Sequence, residues 1–230
     1  MHIFQYYYTH TKKNELMHIK FSTSFNSGQL CLKSNLTIEL DTEFVYFSSN
    51  VMINDVLSFM KSASVPDDSY MFTYKQGTGF VLARYNNSIW DIPDDMLLAF
   101  QNMTSFGVHM KSPIPVPAPK LTVRGNLIHL PRTEKQSPGK VWITMPYHTK
   151  ISITSLNITA LEDGDDVTDF KPRGVYFRYN NNSWTSDFGA LVCTYEQKNC
   201  MLEPAHAYEV DRTNAGFITY PHYDLISLDF

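Results

Sequence analysis

Three carboxylates gather at one glycine turn and are the first candidates for binding an ion. Asp163, Asp165 and Asp166 belong to the stretch Glu162-Asp163-Gly164-Asp165-Asp166. Carboxylate oxygens are the ligands that Ca²⁺ prefers, and a turn can bring several of them to one point. The stretch lacks the spacing and the terminal bidentate Glu of an EF-hand loop. The sequence therefore favours a solvated acidic turn, with a Ca²⁺ site as the alternative.

Two tryptophans and two tyrosines form the second candidate site. Tyr85 precedes Trp90, and Tyr179 precedes Trp184, in two similar Asn-rich stretches. Exposed aromatic rings stack on sugars, and Asn and Asp hydrogen-bond to sugar hydroxyls, so these four residues would suit a glycan platform. Large aromatic side chains are mostly buried in folded proteins. The sequence therefore favours a core position for both tryptophans, with glycan binding as the alternative.

The sequence contains none of the short motifs that mark common catalytic or cofactor sites. Gly77-Thr78-Gly79 is not followed by Gly-Lys-Ser/Thr, so it predicts a turn and not a phosphate-binding loop. The zinc patterns His-Glu-x-x-His and Cys-x-x-Cys do not occur, and neither does the nucleophile motif Gly-x-Ser-x-Gly. We therefore predict a protein that is not an enzyme and uses no cofactor. A dispersed site on a β scaffold is the alternative.

A hairpin that occurs twice would position the aromatic candidates. Arg84-Tyr85-Asn86-Asn87-Ser88-Ile89-Trp90 aligns without a gap with Arg178-Tyr179-Asn180-Asn181-Asn182-Ser183-Trp184, and five of the seven positions are identical. Asn tolerates the positive φ angles of a tight hairpin, so each copy predicts two strands joined by a turn at the Asn pair, Asn86-Asn87 in the first copy. Either the chain is internally duplicated, or a single sandwich uses two similar hairpins.

Short apolar runs separated by turn residues predict a mainly β fold. Residues 36–40 alternate between apolar and polar, and residues 151–159 form the best strand pattern, whose apolar side switches at Ser155. That switch predicts a bulge or a strand that changes sheets. Helical spacing occurs at 54–62, capped by Asn54, and at 93–103. We predict an antiparallel sandwich or jelly-roll-like modules with two short helices.

A proline-rich segment near the middle of the chain predicts a domain boundary. Four prolines alternate with other residues from Pro113 to Pro119, which enforces an extended chain with few backbone donors. We predict a β-rich domain with both helices over residues 1–110, a linker over 111–120 and a β-sandwich domain over 121–230. One sandwich over residues 1–230 is the alternative.

The composition is rich in aromatic residues and poor in charge. Aromatic residues are 14%, charged residues 18%, and the formal net charge is −4. No extended basic run occurs, so nucleic-acid binding is not expected. No apolar run approaches the roughly 18 residues of a spanning helix, and the N-terminus lacks a signal-peptide pattern, so membrane insertion and secretion are not expected.

The chain ends and the cysteines lead to two further predictions. Apolar residues near both termini predict an N-terminal arm or edge strands before residue 25 and a packed C-terminal strand that ends at Phe230.

The cysteines, Cys31, Cys193 and Cys200, are few and odd in number. We expect Cys193 and Cys200 to be reduced thiols, with a bridge across a hairpin loop as the alternative.

The repeated element of an apolar strand, Arg-Tyr-Asn-Asn, and then Ser and Trp resembles hairpins of bacteriophage tail, fibre and other virion proteins. The resemblance covers only the two seven-residue stretches and carries over no site residues. It implies a β-rich virion component, in a tail, fibre or capsid, that works in assembly or host attachment as a homo-oligomer with other virion proteins. A glycan-binding or receptor-attachment module that recognises a host-surface glycan is the alternative, and the cytoplasm of the producing cell is the alternative location.

Overall fold

The computed structural model describes residues 7–12, 15–20, 22–26, 29–101, 104–170, 174–186, 191–194 and 200–222. It is 48% strand and 10% helix, which confirms the predicted mainly β class. The first half of the chain contains β1 (Tyr7–Lys12), β2 (Glu15–Lys20), β3 (Ser22–Asn26), β4 (Gln29–Glu39), β5 (Phe44–Ser48), β6 (Val51–Met52), α1 (Val56–Lys61), β7 (Tyr70–Lys75), β8 (Gly79–Asn86), β9 (Ile89–Asp91), α2 (Asp94–Gln101), β10 (Ser105–His109) and β11 (Lys120–Leu127).

The second half is built from strands and a single-turn 3₁₀ helix at Ile153–Ser155 within the described residues. Its strands are β12 (Arg132–Gln136), β13 (Gly139–Ile143), β14 (Ile151–Ser152), β15 (Asn157–Ile158), β16 (Asp166–Asp169), β17 (Tyr176–Asn180), β18 (Ser183–Ser186), β19 (Leu191–Val192), β20 (Met201–Leu202), β21 (Tyr208–Arg212) and β22 (Gly216–Tyr220).

A first unit, β4 to β11 with both helices, is a sandwich of two antiparallel sheets. The larger sheet has the order β5-β10-β7-β8-β9, and the smaller one contains β4-β11-β6. Counted along the unit, these orders are 2-7-4-5-6 and 1-8-3, which is a jelly-roll-like arrangement. Inward residues of both sheets, such as Phe47 and Leu121, share one core with Phe59 of α1 and Met96 of α2. The core explains why both short helices form, since each buries one apolar face there.

A second unit, β12 to β22, repeats this strand order. Its larger sheet is β13-β21-β16-β17-β18-β19 and its smaller one is β12-β22-β15. Even the register agrees at the centre of the larger sheet. Val108 of β10 lies opposite Val45, and Val210 of β21 lies opposite Val141. The two similar hairpins therefore occupy the same place in two copies of one arrangement, with a separate core for each copy.

The proline-rich segment does not separate the two cores. It joins β10 to β11, and the buried residues Val108 and Leu121 on either side of it belong to the same cluster. The change from the first core to the second falls between Val123 and Ile128. The expected linker at 111–120 thus lies inside the first unit, as the loop between its seventh and eighth strands. Independent folding of the two units stays a prediction.

Two local predictions need correction. The N-cap of α1 is Asp55 and not Asn54, because the Asp55 Oδ1 accepts a 2.9 Å hydrogen bond from the Ser58 amide. Residues 151–159 do not form one strand. The 3₁₀ turn separates β14 from β15, which pair with β20 and β22 in different sheets, so the predicted change of sheet is confirmed.

The predictions at the chain ends are tested only in part. Edge strands near the N-terminus are confirmed, since β1 pairs with β2 and β3 pairs with β4. Residues 1–6 lie outside the described residues. The predicted C-terminal strand and Phe230 lie outside them as well.

The expectation of two reduced thiols at Cys193 and Cys200 is wrong. The structure joins them in a disulfide, with Cα atoms 5.5 Å apart, inside the range that a disulfide can span. The Cys193 amide donates a 2.7 Å hydrogen bond to the Trp184 carbonyl, which fixes this cysteine beside the hairpin. Both cysteines are buried. Sequence counting could not reveal the pairing, because it depends on where the loop returns in space.

Candidate functional site

The two hairpins place their aromatic pairs in the same way. Tyr85 lies directly opposite Trp90 across the strands, and Tyr179 lies directly opposite Trp184. The ring centroids are 5.2 Å apart in the first pair and 5.3 Å apart in the second. Trp90, Trp184 and Tyr85 are buried, and Tyr179 is half-buried. These rings pack within the two cores and present little surface on which a sugar could stack.

Both hairpins turn through residues with left-handed backbone angles. The φ values are 50° at Asn87 and 63° at Ser88, and 49° at Asn181 and 59° at Asn182. Positive φ at both central positions defines the type I′ turn, which matches the twist of paired strands. Both predicted turns form, but each lies one residue later than its aligned Asn pair, Asn86-Asn87 in the first copy and Asn180-Asn181 in the second.

Asp165, one of the three ion-site candidates, is bound by its own chain. Its Oδ1 accepts hydrogen bonds from the Thr213 amide at 2.8 Å and the Thr213 hydroxyl at 2.9 Å, and its Oδ2 accepts one from the Glu162 amide at 3.0 Å. The first unit has the same contact at the equivalent positions, where the Ser69 hydroxyl accepts from the Lys111 amide at 3.0 Å. Asp165 therefore holds the loop after β21 in place, as Ser69 holds the loop after β10 in the first unit.

The other two carboxylates of the acidic turn point to different partners. The Asp163 Oδ1 accepts a 2.8 Å hydrogen bond from the Asn181 amide and so braces the second hairpin turn. The Asp166 Oδ2 accepts one from the Tyr176 hydroxyl at 3.3 Å. Burial, ahead of the neighbouring Asp211, raises the pKa of Asp166. Within the described part of the chain, no group of three or more His, Cys, Asp or Glu residues could hold a metal ion.

The outer face of the first unit's larger sheet is lined with aromatic side chains. They come from β5, β7 and β8 and are Phe44, Tyr46, Tyr70, Phe72, Tyr74 and Phe80. We call this set the aromatic face. The Phe72 ring lies over Gly107, where any added Cβ would meet it. A glycine is therefore required at the centre of this face.

The second unit covers part of the aromatic face and leaves the rest open. Phe170 stacks on Tyr46 with ring centroids 4.9 Å apart, and Trp142 lies 5.8 Å from Phe80. Phe80 is nevertheless 59% exposed, and Leu82 on the same strand is 41% exposed. Exposed apolar side chains on the same strand make this part of the aromatic face a candidate for contact with a partner.

A cleft of about 470 Å³ lies where the two units meet. One wall comes from the end of β7, from α2 and from Thr104, and the other wall comes from β12 and β13. Its lining is Thr73, Tyr74, Lys75, Asp95, Leu98, Ala99, Thr104, Arg132, Thr133, Glu134, Lys135, Gln136, Val141 and Trp142. Hydrogen bonds join the two units, from the Gln76 Nε2 to the Pro138 carbonyl at 2.6 Å and from the Met145 amide to the Ser48 Oγ at 3.0 Å.

Each wall of the cleft carries an ion pair. Lys75 and Asp95 are 2.7 Å apart on the first unit and are both well exposed. Arg132 and Glu134 are 3.0 Å apart on β12, and the Glu134 side chain is only 14% exposed. Burial raises the pKa of Glu134 from 4.5 to about 7, although the Arg132 guanidinium acts in the opposite direction. Glu134 is therefore partly protonated at neutral pH.

The sequence did not single out Arg132, Glu134 or Trp142. A strand pattern such as Arg132-Thr133-Glu134-Lys135-Gln136 contains no apolar residue, and nothing in it shows that every second residue points inward. One signal was present in the sequence. Charged residues at every second position are unexpected on the buried side of a strand, so such a pattern indicates a special role for that strand. The side that is buried becomes known only from the pairing of β12 with β22.

Comparison with known proteins gives no further guidance. No protein-family model matches the chain, and neither curated proteins nor solved structures show a match to it. Among the described residues, no helix is both long enough and apolar enough to cross a membrane.

Proposed function

We propose that this protein is a non-enzymatic structural or assembly protein of a virion, and that it works through multivalent contacts with copies of itself and with other virion proteins. The exposed part of the aromatic face carries the proposal. Protein interfaces are enriched in aromatic residues and depleted in charge at their centres. Phe80 and Leu82 present that chemistry to solvent on the flat side of a sheet.

The architecture supports the same function by analogy. Jelly rolls occur in viral capsid proteins and in lectins, although a fold by itself does not define an activity. The chain contains two such arrangements in tandem. The resemblance of the hairpins around Trp90 and Trp184 to those of virion proteins points in the same direction.

The partner that fits the open part of the aromatic face is a second copy of this chain. The ring of Phe80 lies 5.8 Å from Phe72 of its own sheet and 5.8 Å from Trp142 of the second unit. The open surface therefore continues a contact that the chain already makes internally. The second unit has exposed apolar side chains of its own on two different sheets, Phe217 at 47% on β22 and Val192 at 57% on β19, and either could meet Phe80 of another copy.

Sedimentation analysis of the full-length protein tests this proposal. We expect an oligomer at micromolar concentration, and we expect Phe80→Ser/Leu82→Ser to shift it to monomer with its circular dichroism unchanged. Leu57→Ser is the matched control, because Leu57 is 52% exposed on α1, away from the aromatic face. A full-length protein that stays monomeric and binds no partner from its own source would contradict the proposal.

Glycan binding or receptor attachment is the second candidate, and the cleft between the units favours it. The rings of Trp90 and Trp184 are buried, so a glycan would have to bind elsewhere than on the hairpins. A glycan array probed with the full-length protein separates the two candidates. Binding by a monomeric protein would favour attachment, and assembly without glycan binding would favour the structural function.

A further inference from the structure

The cleft has the size and rigidity of a ligand site, and the assembly proposal does not use it. Its volume of about 470 Å³ falls within the range typical of small-molecule sites. Two side-chain hydrogen bonds connect the units beside the cleft, from the Gln76 Nε2 to the Pro138 carbonyl and from the Thr104 hydroxyl to the Trp142 carbonyl. A preformed cleft lowers the ordering cost of binding.

The half-buried ion pair on β12 holds positions that the first unit fills with apolar residues. Arg132 and Glu134 occupy inward positions of the first strand of the second unit, opposite Tyr220 and Ile218. Leu36 holds the position equivalent to Arg132 in the first unit, where it lies opposite Val123. A buried ion pair seldom stabilises a protein more than apolar residues of similar size would. A charged pair at such a position indicates a role in the cleft.

A buried polar group beside the pair lacks a partner. Tyr220 is fully buried, and its hydroxyl has no hydrogen-bond partner among the described residues. Burial, followed by the nearby Glu134, raises the pKa of Tyr220 well above its ordinary value, so the hydroxyl stays protonated. Tyr220 does not line the cleft, so its hydroxyl describes the surroundings of Glu134 and not a contact with a ligand.

The lining of the cleft favours an anion. The lining contains three cations, Lys75, Arg132 and Lys135, and two carboxyl groups, Asp95 and Glu134. Because burial raises the pKa of Glu134 to about 7, this carboxyl group loses much of its charge below neutral pH. The net positive charge of the lining then increases.

We propose that the cleft binds a small polar ligand that carries a carboxylate, an acidic sugar of monosaccharide size being the class that fits, and that Arg132 is its principal cation. The planar guanidinium matches a carboxylate in shape and can bind it with two parallel hydrogen bonds. Thr133 and Gln136 add polar groups for sugar hydroxyls, and Leu98 and Val141 add apolar surface for the ring.

Proton uptake by Glu134 would accompany binding. In the free protein the Arg132 Nε lies 3.0 Å from the Glu134 Oε1, so the Glu134 carboxylate competes with the ligand. Protonation removes that competing charge and provides an O–H donor for the ligand carboxylate.

The charged or titratable groups around Glu134 are Arg132 and Lys135 on its own strand, Tyr220 on β22, and Lys75 and Asp95 on the facing wall. We expect about tenfold tighter binding at pH 6 than at pH 8, since only the protonated form leaves Arg132 available.

Calorimetric titration of the full-length protein with glucuronate, at pH 6 and pH 8, tests the proposal. Glucose is the matched control ligand, because it has a hydroxymethyl group where glucuronate has the carboxylate. We expect glucuronate to bind and glucose to bind at least tenfold more weakly. Arg132→Gln should weaken glucuronate binding more than tenfold, and Lys120→Gln, an exposed cation outside the cleft, should leave it unchanged.

Three results would overturn the proposal. They are the absence of glucuronate binding, equal affinity for glucuronate and glucose, and unchanged affinity in a folded Arg132→Gln protein. Glu134→Gln tests the proton linkage separately and does not depend on the folding of the arginine variant. We expect this variant to bind glucuronate equally at both pH values, and a persistent tenfold difference would contradict the role of Glu134. Sedimentation reports on assembly independently, so the two proposals can fail separately.

Discussion

The two units have the same strand order, but the outer faces of their larger sheets differ in chemistry. Phe44 and Tyr70 lie on this face in the first unit, and the equivalent positions in the second unit hold Lys140 and Asp166. The first face is apolar enough to pack against the second unit and to leave surface for a further partner. The second face carries charged groups beside Trp142, and this tryptophan packs against the aromatic face. One arrangement of strands therefore supports two different surfaces.

The inward side of the first strand of each unit shows a difference in the same direction. Leu36 and Ile38 point into the core of the first unit, whereas Arg132 and Glu134 hold the equivalent positions in the second. The apolar pair fills the first sandwich, and the charged pair opens the second one to the cleft. The comparison teaches that strand order tolerates large changes at these positions, so such changes are the places to look for function.

The largest effects should come from the tryptophans that the two units share. We expect Trp90→Ala and Trp184→Ala each to lower the free energy of unfolding by about 3–5 kcal/mol, because each leaves a large cavity in its own core. Urea unfolding followed by circular dichroism measures both. Ile89→Ala is the control, since Ile89 is 65% exposed, and it should change stability by less than about 0.5 kcal/mol. A large loss in one unit and a small one in the other would break the equivalence of the hairpins.

Exchanging the charged pair for the residues of the first unit should stabilise the protein. We expect Arg132→Leu/Glu134→Ile to raise the free energy of unfolding at pH 8 by about 1–4 kcal/mol, because an apolar pair avoids the desolvation of two charges. The same variant should lose glucuronate binding. Unfolding at pH 8 that is easier than in the wild type would show that the pair serves the fold and not the cleft.

The pH dependence of that exchange follows from the pKa of Glu134. The folded-state pKa is about 7 and the ordinary value is 4.5, so the folded state holds this proton more tightly. Stability from this group is therefore present at low pH and is lost as the pH rises from about 4.5 to 7. The gain from the exchange should be larger at pH 8 than at pH 5 by about 2–3 kcal/mol. Burial lowers the pKa of His148 to about 4, which acts in the opposite direction but equally in both proteins.

The smallest effects should come from the two turns. Asn87→Ala and Asn181→Ala should each cost about 1 kcal/mol, because alanine tolerates the left-handed backbone region less well than asparagine does. Asn87→Gly and Asn181→Gly are the matched controls and should be nearly neutral, since glycine adopts positive φ freely. Thermal unfolding measures all four variants. Unequal costs at the two turns would show that their surroundings, and not their shared type I′ geometry, decide the stability of each hairpin.

The amino-acid sequence by itself determined the local elements of this protein. Alternation predicted β4 around residues 36–40, apolar spacing predicted α1 and α2 to within a few residues, and the Asn pairs predicted both hairpin turns. These features depend on neighbours along the chain, where side-chain periodicity and turn chemistry act directly. The resemblance of the hairpins was visible for the same reason.

Tertiary structure alone decided the features on which the proposed functions depend. The equivalence of the two units and the cleft join residues that lie far apart in the sequence, and the disulfide between Cys193 and Cys200, seven residues apart, depends on how close the fold brings the two cysteines. A strand pattern does not say which side meets the core, so the inward direction of Arg132 and Glu134 became clear only from their pairing with β22. The reason is physical, because burial and the pKa shift that follows from it depend on what the rest of the chain places around a side chain.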